Sequence, residues 1–168
     1  PYPQQQPYAQ PYAQPYPGFK SLFGAEVSAA DKTAHVVWPE DLSDLGTGET
    51  LQDRVRSGIY QALTRLQAVR EQFDIAMVYF PNRWLPHLRT KEFDAHDELK
   101  ALAAQQGIPT QVVNDKSLLF GNHGARAWRL AIAMYAKAGG IPWKLAPIPG
   151  VPQDTAYIGL AYAIRRAD

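Results

Sequence analysis

Cysteine is absent from this chain of 168 residues, so disulfides and cysteine-ligated metal sites are excluded. Long apolar runs are absent too, and none approaches the roughly 20 residues that a membrane-spanning helix needs. No basic-then-apolar signal peptide opens the chain. With 17 basic and 16 acidic residues, the net charge of +1 is too balanced to indicate nucleic-acid binding by itself. We therefore expect a cytoplasmic protein, in which any nucleic-acid site rests on a local cluster.

Common catalytic and metal-binding motifs are also missing. The chain contains no Walker A, GxGxxG or GxSxG sequence. Its four histidines lack the HExxH or paired spacing of zinc sites. Acidic pairs such as Asp97 with Glu98 fall on a charged helix face, which we interpret as a solvated surface. The sequence therefore predicts no catalytic residues and no metal ligands.

The composition that remains, 46% hydrophobic and 20% charged, is typical of one soluble globular domain. Residues 1–18, rich in Pro, Tyr and Gln, repeat the unit PYAQ and contain too much proline for a helix or central strand. We predict a disordered low-complexity tail or linker there, followed by an irregular lead-in over residues 19–50 with a short strand at 35–38. Because the chain lacks an initiator Met, we expect a fragment or a processed product.

Strand and helix patterns alternate after the lead-in. Thr50 and Asp53 form a capping-box sequence at the start of a helix that continues to about Val69. The continuous apolar run 73–80 predicts a strand covered on both faces. Helix, strand and helix patterns follow, and the predicted ranges are 93–106, 108–113 and 124–138, with further strands at 143–145 and 156–163. This alternation predicts an α/β fold with a Rossmann-like parallel sheet flanked by helices, over residues 51–154.

Four polar residues are candidates for a phosphate site. His96 and Lys100 are four residues apart, so they are neighbours on one helix face. Gln111 follows the Gly107 turn on the returning strand, and Lys137 ends the third helix. Together they offer positive charges and an amide donor, which a phosphate requires. Each residue also has a plainer interpretation, because a helix-terminal Lys favours the helix dipole and a lone His is usually a surface residue.

Other basic residues could contact a nucleic-acid backbone. Arg83 lies in the loop 82–90, beyond the carboxyl end of a predicted strand, where open α/β sheets place ligands. His123 and Arg126 open the third helix. Helix capping or a solvated surface explains the latter two as well.

The ordered series His-x-x-x-Lys, GIPTQ and YAKAGGIPW resembles the MID domain of Argonaute proteins, particularly the short prokaryotic type. The resemblance covers about residues 73–163. It implies a domain that anchors the 5′ phosphate of a guide strand. It carries that role to His96, where many members have Tyr, and to Lys100, Gln111 and Lys137.

Two positions depart from the family pattern. Arg129 stands where many members have Asn, about 12 Å along the helix from Lys137, and is expected to contact a later guide phosphate. Residues 155–168 contain AYIGLAYA, which resembles the first PIWI strand but has Leu160, Ala161 and Tyr162 where slicing members place a metal-binding Asp. The chain also ends before further acidic residues of such a site. We therefore expect no nuclease activity and no enzyme.

The resemblance further implies a short RNA or DNA guide, a complementary target, and an effector subunit or fused effector domain, with no membrane partner. A Mg²⁺ ion bridging the 5′ phosphate is the one cofactor that it leaves open. Two alternatives stay open at this point. One is a Rossmann-like domain that binds a phosphorylated small molecule, and the other is a structural domain that docks an effector subunit.

Overall fold

The computed structural model describes residues 15–115, 123–144, 146, 149–152 and 155. Among these residues, no helix combines the length and the apolar composition required to cross a bilayer. Short 3₁₀ turns connect several of the regular elements. In chain order, the helices and strands are α1 (Phe19–Phe23), α2 (Leu51–Gln67), β1 (Ala76–Phe80), α3 (Leu85–Leu88), α4 (Ala95–Gln105), β2 (Thr110–Asn114) and α5 (His123–Lys137).

Helix α2 begins where the sequence predicted. The Thr50 hydroxyl accepts from the backbone N–H of Asp53, and the Asp53 carboxylate accepts from the backbone N–H of Thr50. This reciprocal capping box satisfies two donors that the first turn otherwise leaves without partners. The buried stripe of α2 follows the predicted helical spacing and includes Val55, Ile59 and Leu63.

The two strands pair in parallel, with Ala76 opposite Thr110 and Phe80 opposite Asn114. Helix α4 forms the crossover between them, as a parallel pair requires. After α4 the chain reverses direction at Gly107, whose φ of 64° lies in the left-handed region that glycine adopts without a steric penalty. The predicted mixed α/β class is therefore confirmed as a two-stranded parallel sheet flanked by helices.

One face of the sheet carries the core. Ala76, Val78 and Phe80 point from β1 into a cluster with α2 and α4, where Ile59 and Leu99 are fully buried. Trp84 and Leu88, just after β1, close this cluster at the carboxyl end of the strand.

The opposite face corrects one sequence prediction. The run 73–80 was expected to be covered on both faces, yet Met77 and Tyr79 are 50% and 40% exposed. Continuous apolar sequence therefore indicated the strand correctly but not its burial, because the described elements cover this part of the sheet incompletely.

Three further expectations were wrong in part. Residues 35–38 form no strand, although the indole N–H of Trp38 donates to the carbonyl oxygen of Tyr79 at 3.1 Å. Trp143 is exposed and belongs to no strand. The helical spacing of α5 predicts Leu130, Ala133, Met134 and Ala138 as its inward residues. Ala138 is instead exposed, and Ala131 is the residue that is buried. The predicted strand at 156–163 and residues 1–14 of the predicted tail lie outside the described residues.

The lead-in contributes helix α1, which contacts the outer side of α5. The Phe23 ring stacks on Tyr135 with ring centroids 4.2 Å apart, and Phe19 meets the same ring edge-on. Tyr16 meets Trp128 in the same edge-on way. These aromatic contacts hold residues 16–23 against the helix that ends at Lys137.

Candidate anion-binding site

Thr110, the first residue of β2, lies at the centre of a polar site. Its side chain is polar yet buried, with only 3% of the residue's surface exposed. Its carbonyl oxygen accepts hydrogen bonds from the ammonium groups of both Lys100 and Lys137, the latter at 2.8 Å. Its hydroxyl oxygen accepts a second bond from Lys100 at 3.0 Å. Two cations from different helices thus converge on one residue.

The chain reversal after α4 explains how this convergence arises. Lys100 lies in the middle of α4, and the Gly107 turn brings the start of β2 back beside that helix. Lys137 is the last residue of α5 and reaches β2 from there. The three elements therefore meet at the amino end of β2.

Gln111 completes the hydrogen-bonded group. Its side-chain oxygen accepts from the Lys137 ammonium at 2.5 Å. Its side-chain N–H group donates to the carbonyl oxygen of Val112 at 3.0 Å. The amide is thus oriented with its oxygen toward the cation. Of the four predicted phosphate-binding residues, the structure brings together Lys100, Gln111 and Lys137.

The site brings two lysines together, and no described carboxylate compensates their charge. Neither lysine ammonium lies within 4.0 Å of an acidic oxygen among the described residues. Burial lowers the pKa of Lys100, and the neighbouring charge of Lys137 lowers it further. Burial and the like charge both destabilise the charged form of Lys100, and a bound anion would offset this destabilisation. The arrangement is therefore suited to binding an anion.

His96 stands apart from this group. Its side chain is 53% exposed, and its ring Nδ1 lies 3.3 Å from a carboxylate oxygen of Asp97. Its backbone N–H donates to Asp94, the N-cap of α4. Ligand atoms of Asp94, His96 and Asp97 lie within 4.8 Å of one another, but Asp94 is engaged by this cap and by Arg89. His96 therefore faces acidic neighbours rather than the lysines.

A cleft of about 550 Å³ lies between α5 and β2 and connects to the lysine site through Gln111. Gln111 belongs to both, since it lines the cleft and bonds to Lys137. Three of the four predicted backbone-contact residues, His123, Arg126 and Arg129, line the same cleft. Its remaining wall is apolar. The complete lining consists of Gln111, Val112, Val113, His123, Arg126, Ala127, Arg129, Leu130 and Ala133.

Arg83, the fourth predicted backbone contact, lies elsewhere. It follows the carboxyl end of β1, about 13 Å of strand away from the level of Thr110. Its guanidinium lies 5.8 Å from the ring centroid of the buried Trp84 and donates to the Glu40 carbonyl at 3.4 Å. These contacts give Arg83 a structural role in holding the lead-in.

A second cavity, of about 520 Å³, lies beside β1. Segment 27–38 and apolar side chains of the core line most of it, and no Lys or Arg does. It is therefore not part of the cationic site.

Sequence reasoning did not single out Thr110 as the residue on which the two lysines converge, although it was quoted within GIPTQ. A Thr at the start of a strand, between a Pro and a Gln, does not by itself indicate a binding site. Its contacts with the lysines become visible only in the folded chain. Comparisons with known proteins found no matching family model and no similar curated protein.

Proposed function

We propose that this chain binds the 5′ phosphate of a short guide nucleic acid, as the MID module of an Argonaute-like protein that does not cleave its target. The observation that carries the proposal is the convergence of Lys100 and Lys137 on the Thr110 carbonyl, with no carboxylate nearby among the described residues. The geometry by itself points only to an anion. We take the anion to be a guide 5′ phosphate because the ordered sequence motifs resemble those of Argonaute MID domains.

A terminal phosphate suits this charge arrangement. It carries up to two negative charges, so it can bond to both ammonium groups at once. Its charge would also offset the mutual repulsion of the lysines and favour the protonated form of Lys100. A 5′-hydroxyl end offers none of these interactions.

The adjoining cleft suits the first nucleotides of a guide. Its apolar wall can contact a base or sugar, while Arg126 and Arg129 supply charge for later phosphates. The two-stranded parallel sheet with its α4 crossover supports a Rossmann-like arrangement. The sequence LAY at 160–162 supports guide holding without cleavage, because none of these side chains is a hard oxygen ligand for Mg²⁺.

A phosphorylated small molecule is the competing ligand. A cleft of about 550 Å³ falls within the size range of small-molecule sites in general. The same lysines would hold its phosphate group. This alternative requires no extended nucleic-acid path along α5.

Binding of matched oligonucleotides tests the proposal. We expect a short 5′-phosphorylated strand to bind at least about tenfold more tightly than its 5′-hydroxyl twin. The hydroxyl strand lacks the charge-assisted hydrogen bonds to both lysines. Fluorescence anisotropy at fixed salt measures both affinities. Lys137→Ala should remove most of the difference, whereas Lys32→Ala, at an exposed lysine of the lead-in, should leave it unchanged.

Two results would contradict the guide hypothesis. Equal affinity for the phosphorylated and hydroxyl strands would remove its basis. Thermal stabilisation by phosphorylated metabolites, together with indifference to either oligonucleotide, would instead support the small-molecule alternative.

A further inference from the structure

We infer that Thr110 is the positioning residue of the phosphate site, which holds the Lys100 and Lys137 ammonium groups side by side and directs them at one anion. It would act through the two lysines, without touching the ligand itself. The inference rests on the proposed function only in taking the phosphate to come from a guide strand. The lysines are already oriented by Thr110 in the protein without ligand.

The backbone of β2 explains why the Thr110 carbonyl is free to accept these bonds. The N–H of Ala76 donates to the carbonyl of Pro109 at 2.9 Å. In a parallel pair, residues alternate between facing the partner strand and facing away. The backbone groups of Pro109 and Gln111 therefore face β1, and those of Thr110 face the other edge. The lysine ammonium groups supply the donors that a neighbouring strand would otherwise offer to this carbonyl.

Counting donors shows what remains for a ligand. An ammonium group has three N–H donors. Lys100 donates two hydrogen bonds, to the carbonyl and hydroxyl oxygens of Thr110. Lys137 also donates two, to the Thr110 carbonyl and to the side-chain oxygen of Gln111. Within the described residues, each lysine thus keeps one N–H for an anion. The shared oxygen holds these two remaining donors next to each other.

The hydroxyl gives threonine a role that valine cannot fill. The carbonyl bond alone lets the Lys100 ammonium swing about one contact, whereas the second bond to the hydroxyl oxygen fixes its direction. Val has nearly the same shape and an equal or better preference for strands. Thr110→Val therefore removes the hydroxyl with little expected cost to the fold, and Thr110→Ser restores it.

The titration of Lys100 is the first test, and it needs no ligand. We expect NMR of the Lys100 side chain to show a lower pKa in Thr110→Val than in the wild type, because the charged form loses an acceptor. Thr110→Ser should titrate like the wild type. The same Lys100 titration in all three proteins would overturn the inference.

Inorganic phosphate supplies the second test. We expect Thr110→Val to bind it about fivefold more weakly, as the loss of one ordinary hydrogen bond implies. In a Lys100→Met background the same substitution should have no further effect, since Thr110 acts on the anion through that lysine. An equal loss in both backgrounds would overturn the positioning role.

These outcomes are separable from failure of the proposed function. Oligonucleotides that bind equally with and without a 5′ phosphate would remove the guide role. The Lys100 titration and phosphate affinity would still measure whether Thr110 positions the lysines. A melting temperature of Thr110→Val at or above that of the wild type shows that weaker phosphate binding does not come from unfolding.

Discussion

At the scale of single residues, the site consists of two like charges held together by neutral oxygens. Sequence reasoning singled out Lys100, Gln111 and Lys137 from their residue types and motif positions, and the structure brings these three together. It could not find the Thr110 carbonyl, since every residue has a carbonyl and only the fold shows which one accepts from the two lysines. The burial of Lys100 and the neighbouring charge of Lys137 make the site depend on pH.

Phosphate affinity should fall as the pH rises through the lowered pKa of Lys100. Burial and the Lys137 charge lower that pKa below the ordinary value for lysine, so Lys100 loses its charge earlier than an exposed lysine does. Affinities for a 5′-phosphorylated strand, measured above about pH 7 where the phosphate is fully ionised, should show this loss. Lys100→Arg should flatten the profile, because arginine stays charged.

The stability of the unliganded protein should change in the opposite direction. Since the folded pKa of Lys100 lies below its unfolded value, the unfolded state binds more protons between the two values, and stability rises with pH there. Urea unfolding across this range, compared between wild type and Lys100→Met, measures the effect. Identical pH dependence in both proteins would show that Lys100 is not the group responsible.

His96 illustrates a limit of spacing arguments. Four residues before Lys100 on a helix, it was expected to join the site, but its ring lies beside Asp97 and its side chain is largely in solvent. We expect His96→Ala to reduce the 5′-phosphate preference less than Lys137→Ala does, because only the latter removes a group bonded to Thr110. Anisotropy with the two matched oligonucleotides compares them. A larger loss for His96→Ala would show that the ligand draws the imidazole inward.

At the scale of elements, local signals were predictable and long-range ones were not. The capping box of α2 and the Gly107 stop after α4 depend on residues a few positions apart, and both occur where predicted. The exposure of Met77 depends on what covers one face of the sheet, which the sequence of β1 does not contain. The same holds for segment 35–38, which lies beside β1 without pairing as a strand.

The capping box of α2 offers a direct stability test. Thr50→Ala should lower the free energy of unfolding by about 1 kcal/mol, because the N–H of Asp53 loses its acceptor in the helix. Thr64→Ala is a matched control within α2, where the hydroxyl bonds only to the preceding turn and alanine is the better helix former. Urea unfolding compares the two variants. Equal losses would mean that the cap adds nothing specific.

At the scale of the whole molecule, the sheet is asymmetric in both faces and ends. Its buried face packs on α2 and α4, and its other face leaves Met77 and Tyr79 exposed. The lysines meet at the amino end of β2, whereas open α/β sheets usually bind ligands at the carboxyl ends of their strands. At that carboxyl end, Asp115 instead accepts hydrogen bonds from the Tyr79 hydroxyl and the Asn82 backbone, which connect the ends of both strands.

The difference between the two faces of the sheet predicts different losses of stability when side chains on each face are shortened to alanine. Leu99 is 1% exposed between α2 and the sheet, so Leu99→Ala should cost about 2–5 kcal/mol through lost burial and the cavity that it leaves. Met77→Ala, on the half-exposed face of β1, should cost under about 1 kcal/mol, because it removes little buried surface. Urea denaturation with a common slope measures both. Comparable losses would show that Met77 is covered in solution, and hence that the second face of the sheet is occupied by part of the chain or by a partner.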